Sequence, residues 1–236
     1  LFRTAHTLAF VFALGAIAPA ARADTGRAEA RLSPRLAPSR AGKRVVRILR
    51  RLDRTIKKTK YQHWNTIRRR SGYYAWDCSG MAMWILRRAA PRALRALRRR
   101  RPAAVDFYNA IARAPTKRAR RGWRRLAHIW QVRPGDVFAF PRSPLSRSRA
   151  TGHVGFFVER PWRVKGVRGA WAARIADSTR LPHEDDTRTS NPDGGFGFGT
   201  FLFLVDDKGK TYGYGWFGTL SRGYLPTHVV YGHVTR

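Results

Sequence analysis

The hydrophobic pattern of this chain changes period near Asp136, and that change limits the folds open to it. Upstream, apolar residues recur three and four apart. Val45, Ile48, Leu49, Leu52 and Ile56 mark an amphipathic helix with a very basic outer face. Val105, Tyr108, Ile111 and Ala112 mark the inward face of a second helix over 103–114. Downstream, the segments 137–140, 151–158, 170–177, 200–205, 211–217 and 228–234 are rich in β-branched and aromatic residues and predict strands. Asp206-Asp207-Lys208-Gly209-Lys210 predicts a turn between two of them. The run Gly194-Gly195-Phe196-Gly197-Phe198-Gly199 is not a phosphate loop, because it leads into a strand and lacks the Lys-Ser/Thr ending. Helices first and strands after predict an α+β fold, with N-terminal helices packed on a C-terminal antiparallel sheet.

Between the two helical segments lies Asp77-Cys78-Ser79-Gly80, followed by Met81-Ala82-Met83-Trp84-Ile85-Leu86. Cys78 is the only cysteine, so it has no intrachain disulfide partner. Free cysteine is commonly a small buried hydrophobe, but this context differs. Asp77 is a good N-cap, and Met81, Trp84, Ile85 and Arg88 share one helix face. Cys78 then falls at a helix N-terminus, where the dipole favours a thiolate and free N–H groups can hold an oxyanion. Gly80 leaves room for a close approach.

Two further motifs lie downstream in a suggestive order: Val132-Arg133-Pro134-Gly135-Asp136-Val137-Phe138, then Thr151-Gly152-His153-Val154-Gly155-Phe156-Phe157-Val158. Together with Asp-Cys-Ser-Gly these resemble the NlpC-type peptidases, papain-like cysteine peptidases that cut cell-wall peptides. The resemblance covers roughly residues 61 to 180. It implies Cys78 as nucleophile, His153 as base, a polar residue on the next strand as orienter, and no metal or cofactor. It also implies a tyrosine upstream of the cysteine, for which Tyr61 is the candidate, although the family's usual Gly-Gly after it is absent. Asp77, Ser79 and Gly152 flank the reactive side chains and, with Tyr61, are the expected substrate-binding positions.

The residues themselves support His153 as the base. Glycines at 152 and 155 leave space around its ring, whereas His63, His128, His228 and His233 sit among aromatic or strand-like segments and read as structural. On a strand, His153, Gly155 and Phe157 share one face and Val154, Phe156 and Val158 the other. A hairpin turning near Lys165-Gly166 would set His153 opposite Asp177 and Val158 opposite Ala172. Asp177 is therefore the expected orienter, and with a single histidine partner its change to Asn should be milder than loss of Cys78 or His153. His183-Glu184-Asp185-Asp186 is too compact for a metal site without a helix, and Pro182 opposes one, so it reads as a substrate-facing or solvated loop.

Residues 1–23 combine Arg3, an apolar run from Leu8 to Ile17 and Ala21-Arg22-Ala23, the pattern of a cleaved secretory signal. Residues 24–42 read as a flexible linker, and 43–236 as the peptidase domain. These features predict a secreted or periplasmic monomer with no transmembrane segment after cleavage. The 48 Lys and Arg against 14 Asp and Glu give a net charge of +34, which attracts peptidoglycan or another anionic envelope polymer. Arginine outnumbers lysine 40 to 8, a bias that GC-rich coding alone would also produce. No nucleic-acid-reading module accompanies the basic runs, so no specific nucleic acid is expected.

The expected activity is a γ-D-glutamyl endopeptidase of the cell wall. An amidase of the CHAP kind and a non-catalytic cationic envelope-binding protein are the alternatives. In either case, binding to intact sacculi should weaken steeply as salt is raised, because exposed charges are screened over about 8 Å at physiological ionic strength. Cys78→Ala should bind as wild type in the same sedimentation assay. Salt-independent binding would make the arginines a compositional accident.

Overall fold

The computed structural model describes residues 37–188 and 190–235. The signal expected over 1–23 and the linker up to residue 36 lie outside the described residues. The first helix, α1 (Arg40–Thr55), begins inside the expected linker, so the folded domain starts earlier than residue 43. Ser39 is its N-cap, accepting from the Gly42 N–H at 2.8 Å and donating to the Val234 carbonyl at 2.5 Å. Ala41, Gly42, Val45, Leu49 and Leu52 are buried, while the arginine-rich face points outward.

A small three-stranded sheet follows: β1 (Lys58–Tyr61), β2 (Thr66–Arg68) and β3 (Tyr73–Trp76), with β3 central, parallel to β1 and antiparallel to β2. The sequence does not announce it. Its first strands are short and basic, and Ser71 to Trp76 reads as a turn. Burial of Tyr74, Ala75 and Trp76 overrides that local preference. The Trp76 ring packs against those of Tyr74 and Trp84, at centroid distances of 5.1 and 5.6 Å.

Helix α2 (Cys78–Ala89) starts directly after β3 and Asp77. Its buried face is Met81, Ala82, Ile85, Leu86 and Ala89. Trp84 and Arg88 border that face, and the Arg88 guanidinium lies 3.7 Å from the Trp84 ring centroid. Pro91 opens the short helix α3 (Pro91–Arg95). Helix α4 (Ala104–Ala112) buries Ala104, Phe107 and Ile111; Val105, Tyr108 and Ala112 are half-buried, because the stripe rotates to cover the larger Phe107 side chain.

The rest of the chain is β-rich. Strands β4 (Trp123–Leu126), β5 (Val137–Pro141), β6 (Gly152–Phe157), β7 (Trp162–Arg163), β8 (Ala170–Thr179), β9 (Gly195–Val205), β10 (Thr211–Gly215), β11 (Leu225–Pro226) and β12 (Val230–Val234) form one antiparallel sheet. Its order is β11-β10-β9-β8-β6-β5-β12-β4, with β7 on β8. The architecture is α+β, as expected. Alternation along the strands divides the apolar residues into two clusters. Val137, Ala139, Val154, Phe156 and Ala176 join the helices. Phe138, Phe140, Phe157, Phe201, Phe203 and Tyr231 form an aromatic cluster on the opposite face. Each fully buried side chain of this size stabilises the fold by roughly 1.5–3 kcal/mol.

The register of β6 on β8 differs from expectation by two residues: Phe156 pairs with Ala176 and Phe157 with Ile175. The connection is not a plain hairpin turn, because it carries β7, whose Trp162 takes Ala172 as its partner. A two-residue shift preserves the strand period, so Asp177 stays on the same sheet face as His153.

Gly135 meets α1 where the Pro134-Gly135-Asp136 turn enters β5. Its φ is +90°, and a Cβ there would overlap the Gly42 carbonyl. Gly135→Ala should cost about 2 kcal/mol, read as a fall of roughly 4–8 °C in Tm. An unchanged Tm would mean that this turn yields without loss.

Candidate active site

Cys78 is the first residue of α2, immediately after the short crossing from β3. Asp77 caps the helix: its Oδ1 accepts from the Gly80 N–H at 2.7 Å and from the Ser79 hydroxyl at 2.8 Å. The N–H groups of Cys78 and Ser79 belong to the first turn and have no intrahelical acceptor. The preceding segment is latched to the large sheet by the Ser178 hydroxyl, which donates to the Trp76 carbonyl at 2.9 Å.

His153 is the second residue of β6 and Asp177 lies near the end of antiparallel β8, so both reach the same rim of the sheet. His153 Nε2 donates to Asp177 Oδ2 at 2.6 Å. The Cys78 side chain is among the groups that raise the pKa of the same ring, so the sulfur lies near it; with Nε2 taken by Asp177, Nδ1 is the nitrogen left to face the sulfur. Burial alone would lower the His153 pKa. The Cys78 sulfur and the Asp177 carboxylate outweigh it and hold the ring up at about 9. Phe138, Phe140 and Trp216 surround the imidazole, with ring centroids 6.0, 5.7 and 5.2 Å away.

Asp177 has more partners than the sequence suggests. It is 0% exposed. Its Oδ1 accepts from Arg188 Nη1 at 2.7 Å, and its Oδ2 also faces His183 Nε2 at 2.9 Å. Burial would raise its pKa, but Arg188, His183 and His153 hold the carboxyl well below the usual range. Arg188 is fixed in turn by Asp186, through Nε to Oδ1 at 2.8 Å and Nη2 to Oδ2 at 2.5 Å, and by the Gly195 carbonyl at 3.0 Å.

The alternating glycines of β9 make room for this group. Gly195, Gly197 and Gly199 continue the face that carries Phe201 and Phe203. A Cβ at Gly197 would come within 2.7 Å of the Arg188 side chain, and one at Gly199 within 2.6 Å of His183 Cβ. The glycine run therefore belongs to the strand itself and clears a polar chamber at its rim.

The other expected residues fall as follows. Tyr61 ends β1 beside Trp76, its Cα register partner. Its phenol pKa is raised, chiefly by burial and then by the charges of Cys78 and Asp77. Asp77 and Ser79 bond to each other, and Asp77 to the Gly80 N–H, a role in shaping the turn that carries Cys78. Gly152 has φ +146° because the Phe140 carbonyl occupies the side-chain position, and the space at Gly155 is taken by the Phe138 ring. Those glycines thus serve strand packing rather than opening a substrate cavity. Gly80 is approached by the Asn65 side chain, whose Nδ2 donates to the Gly80 carbonyl at 3.3 Å.

His63, read as structural, is 72% exposed at its side chain and lies 3.3 Å from Asp77 Oδ2. His233 is structural: its Nδ1 meets buried Asp136 at 2.8 Å. In the acidic loop, Glu184 accepts from the Thr219 hydroxyl and N–H, and His183 and Asp186 are buried, so the loop is not simply solvated. Among the described residues, no group of three or more His, Cys, Asp or Glu side chains is placed to hold a metal ion. Sequence reasoning missed Arg188 and Trp216 as neighbours of the site, and it placed His183 and Asp186 in a substrate-facing or solvated loop without the bonds they make to Asp177 and Arg188. The available signal was glycine at every second position of a strand.

A thiol beside an imidazole that is itself hydrogen-bonded to a carboxylate can move a proton between sulfur and a substrate atom. No protein-family model matches the chain, and neither does any curated protein or solved structure.

Because Asp177 accepts from three donors, Asp177→Asn sets an NH₂ among groups that have only hydrogen to offer. It should therefore destabilise by about 3–5 kcal/mol, more than the mild lesion expected from one partner. A carboxyl with a depressed folded pKa stabilises above its unfolded value, near 4, and loses that contribution as pH falls through the folded value. The deficit of Asp177→Asn in urea unfolding should be full at pH 7 and shrink below about pH 4. A deficit independent of pH would argue against an ionised Asp177.

Proposed function

We propose that this chain is a cysteine hydrolase of the NlpC type, acting on peptides of the bacterial cell wall. The observation that carries the reading is the His153 ring, which bonds Asp177 at 2.6 Å and whose pKa the nearby Cys78 side chain raises. The arrangement of a cysteine-bearing helix, then a strand with the histidine, then a strand with the acceptor supports a papain-like fold of that type. The net charge of +34 supports a polyanionic target. The γ-D-glutamyl bond is the substrate that the motif resemblance implies.

The reaction follows from the groups present. Cys78 Sγ, as thiolate, attacks the carbonyl carbon, and the first-turn N–H groups of α2 receive the developing oxyanion. The imidazolium of His153 gives its Nδ1 proton to the departing amine as the C–N bond breaks, leaving an acyl-cysteine. A water then attacks while His153 takes its proton, and the thiolate leaves with the acid product released. Asp177 holds the ring throughout.

Cys78→Ala and His153→Ala should each reduce turnover by at least roughly 10⁴, with native circular dichroism, and the double variant should be no worse than either. The alkaline limb of turnover should fall near pH 9, where His153 loses the proton it must deliver. Mass spectrometry of digested peptidoglycan reads the bond. Cuts within the stem peptide support the proposal, and intact glycan with free stems would instead indicate an amidase of the CHAP kind. Cleavage retained by folded Cys78→Ala would end the thiol mechanism. No product, with a thiol alkylated no faster than free cysteine, would mark a non-catalytic envelope binder.

A further inference from the structure

The connection between β8 and β9 carries a histidine whose two ring nitrogens both face acceptors. His183 Nδ1 lies 2.8 Å from the Trp216 carbonyl oxygen, and Nε2 lies 2.9 Å from Asp177 Oδ2. A carbonyl cannot donate a hydrogen bond. A carboxyl can donate only when protonated, and Asp177 is held ionised by Arg188 on Oδ1 and His153 on Oδ2. A neutral imidazole has one N–H and one lone pair. Either neutral tautomer would therefore set a ring lone pair against an oxygen lone pair at under 3 Å. We infer that His183 is held as an imidazolium at neutral pH and is a positioning residue: its charge neutralises part of Asp177, so that the carboxylate orients His153 without trapping its proton.

The charges around the ring support this. Asp177 comes from β8, while Asp186 and Arg188 come from the same connection as His183. Asp186 Oδ2 also accepts the His183 backbone N–H at 2.7 Å. From β6, His153 shares Oδ2 with His183. Among the described residues, the other elements bring the Trp216 carbonyl, the rings of Phe201 and Trp216, with centroids 5.3 and 4.6 Å away, and bare Gly199. Glu184 bonds instead to Thr219, and the Asp185 carbonyl to Arg174. Two buried carboxylates thus face Arg188 and His183. The four charges cancel only if His183 is protonated, and the Cys78–His153 pair then forms a second neutral unit. With His183 neutral, an excess negative charge would sit in a dry chamber against His153 and raise its hold on the proton. The consequence for turnover rests on the cysteine-hydrolase reading; the protonation of His183 does not.

Histidine ring ¹⁵N spectra of the full-length protein at pH 7 test it directly. Both ring nitrogens of His183 should carry hydrogen. In His183→Gln, an amide can still donate to Asp177 but carries no charge, and the titration midpoint of His153 should move up by about one pH unit. The alkaline limb of thiol alkylation should move with it. A single ring N–H on His183 in the wild-type spectrum overturns the inference. So does an unmoved His153 midpoint in a folded His183→Gln. Should that variant fail to fold, the wild-type spectrum decides alone. Neither spectrum depends on wall cleavage, so a failed cleavage assay leaves this result standing.

Discussion

One carboxylate organises the rim of this protein. Asp177 is sealed from solvent and accepts from His153, His183 and Arg188, which come from two separate parts of the chain. Taking a carboxylate out of water costs several kcal/mol, and only well-aligned, charged donors repay that. The partners are therefore constrained together: β6 must bring its second residue to the rim, and the β8–β9 connection must fold back over the strand it has just left. Arg188 is aligned by Asp186, so the support extends one layer further from the sulfur.

The sheet separates two kinds of interior. One face carries the aliphatic and small residues that bed the helices, and the other a dense aromatic cluster. Cys78 belongs to the first and His153 to the second, and they meet only because each stands at the end of its element. A helix start and a strand start are stiffer mounts than loops, and the Ser178 bond to Trp76 ties the segment before the helix to β8, the strand that carries Asp177. The thiol and imidazole are held by regular structure on both sides.

Much of this was legible in the sequence, and the limits have physical causes. The change of hydrophobic period gave the α+β class. The cap, the lone cysteine and the Gly-flanked histidine singled out Cys78 and His153, and strand alternation put Asp177 on the right face despite a register error of two. Parity survives such an error; the identity of the opposite neighbour does not. Strands β1, β2 and β4 were hidden because their pattern is short and interrupted by lysine and arginine, and β3 because its run looks like a turn; their existence depends on burial of Tyr74, Trp76 and Trp123 by distant residues. His183 and Arg188 were hidden for a different reason. Their partners lie across a fold-back of the chain, and within the segment itself they look like a polar loop.

The glycines of β9 bear on how such a site can change over generations. At Gly197 and Gly199, the missing side chains are replaced by Arg188 and His183 lying in the same volume. Volume lent by a strand to its own connecting loop ties their substitutions together. An alanine at 197 requires a shorter residue at 188, and loss of the arginine leaves a void that a larger residue at 197 would fill. Strand and loop are thus bound to covary as one heritable unit, and a graft of either alone into another sheet would carry half of the chamber.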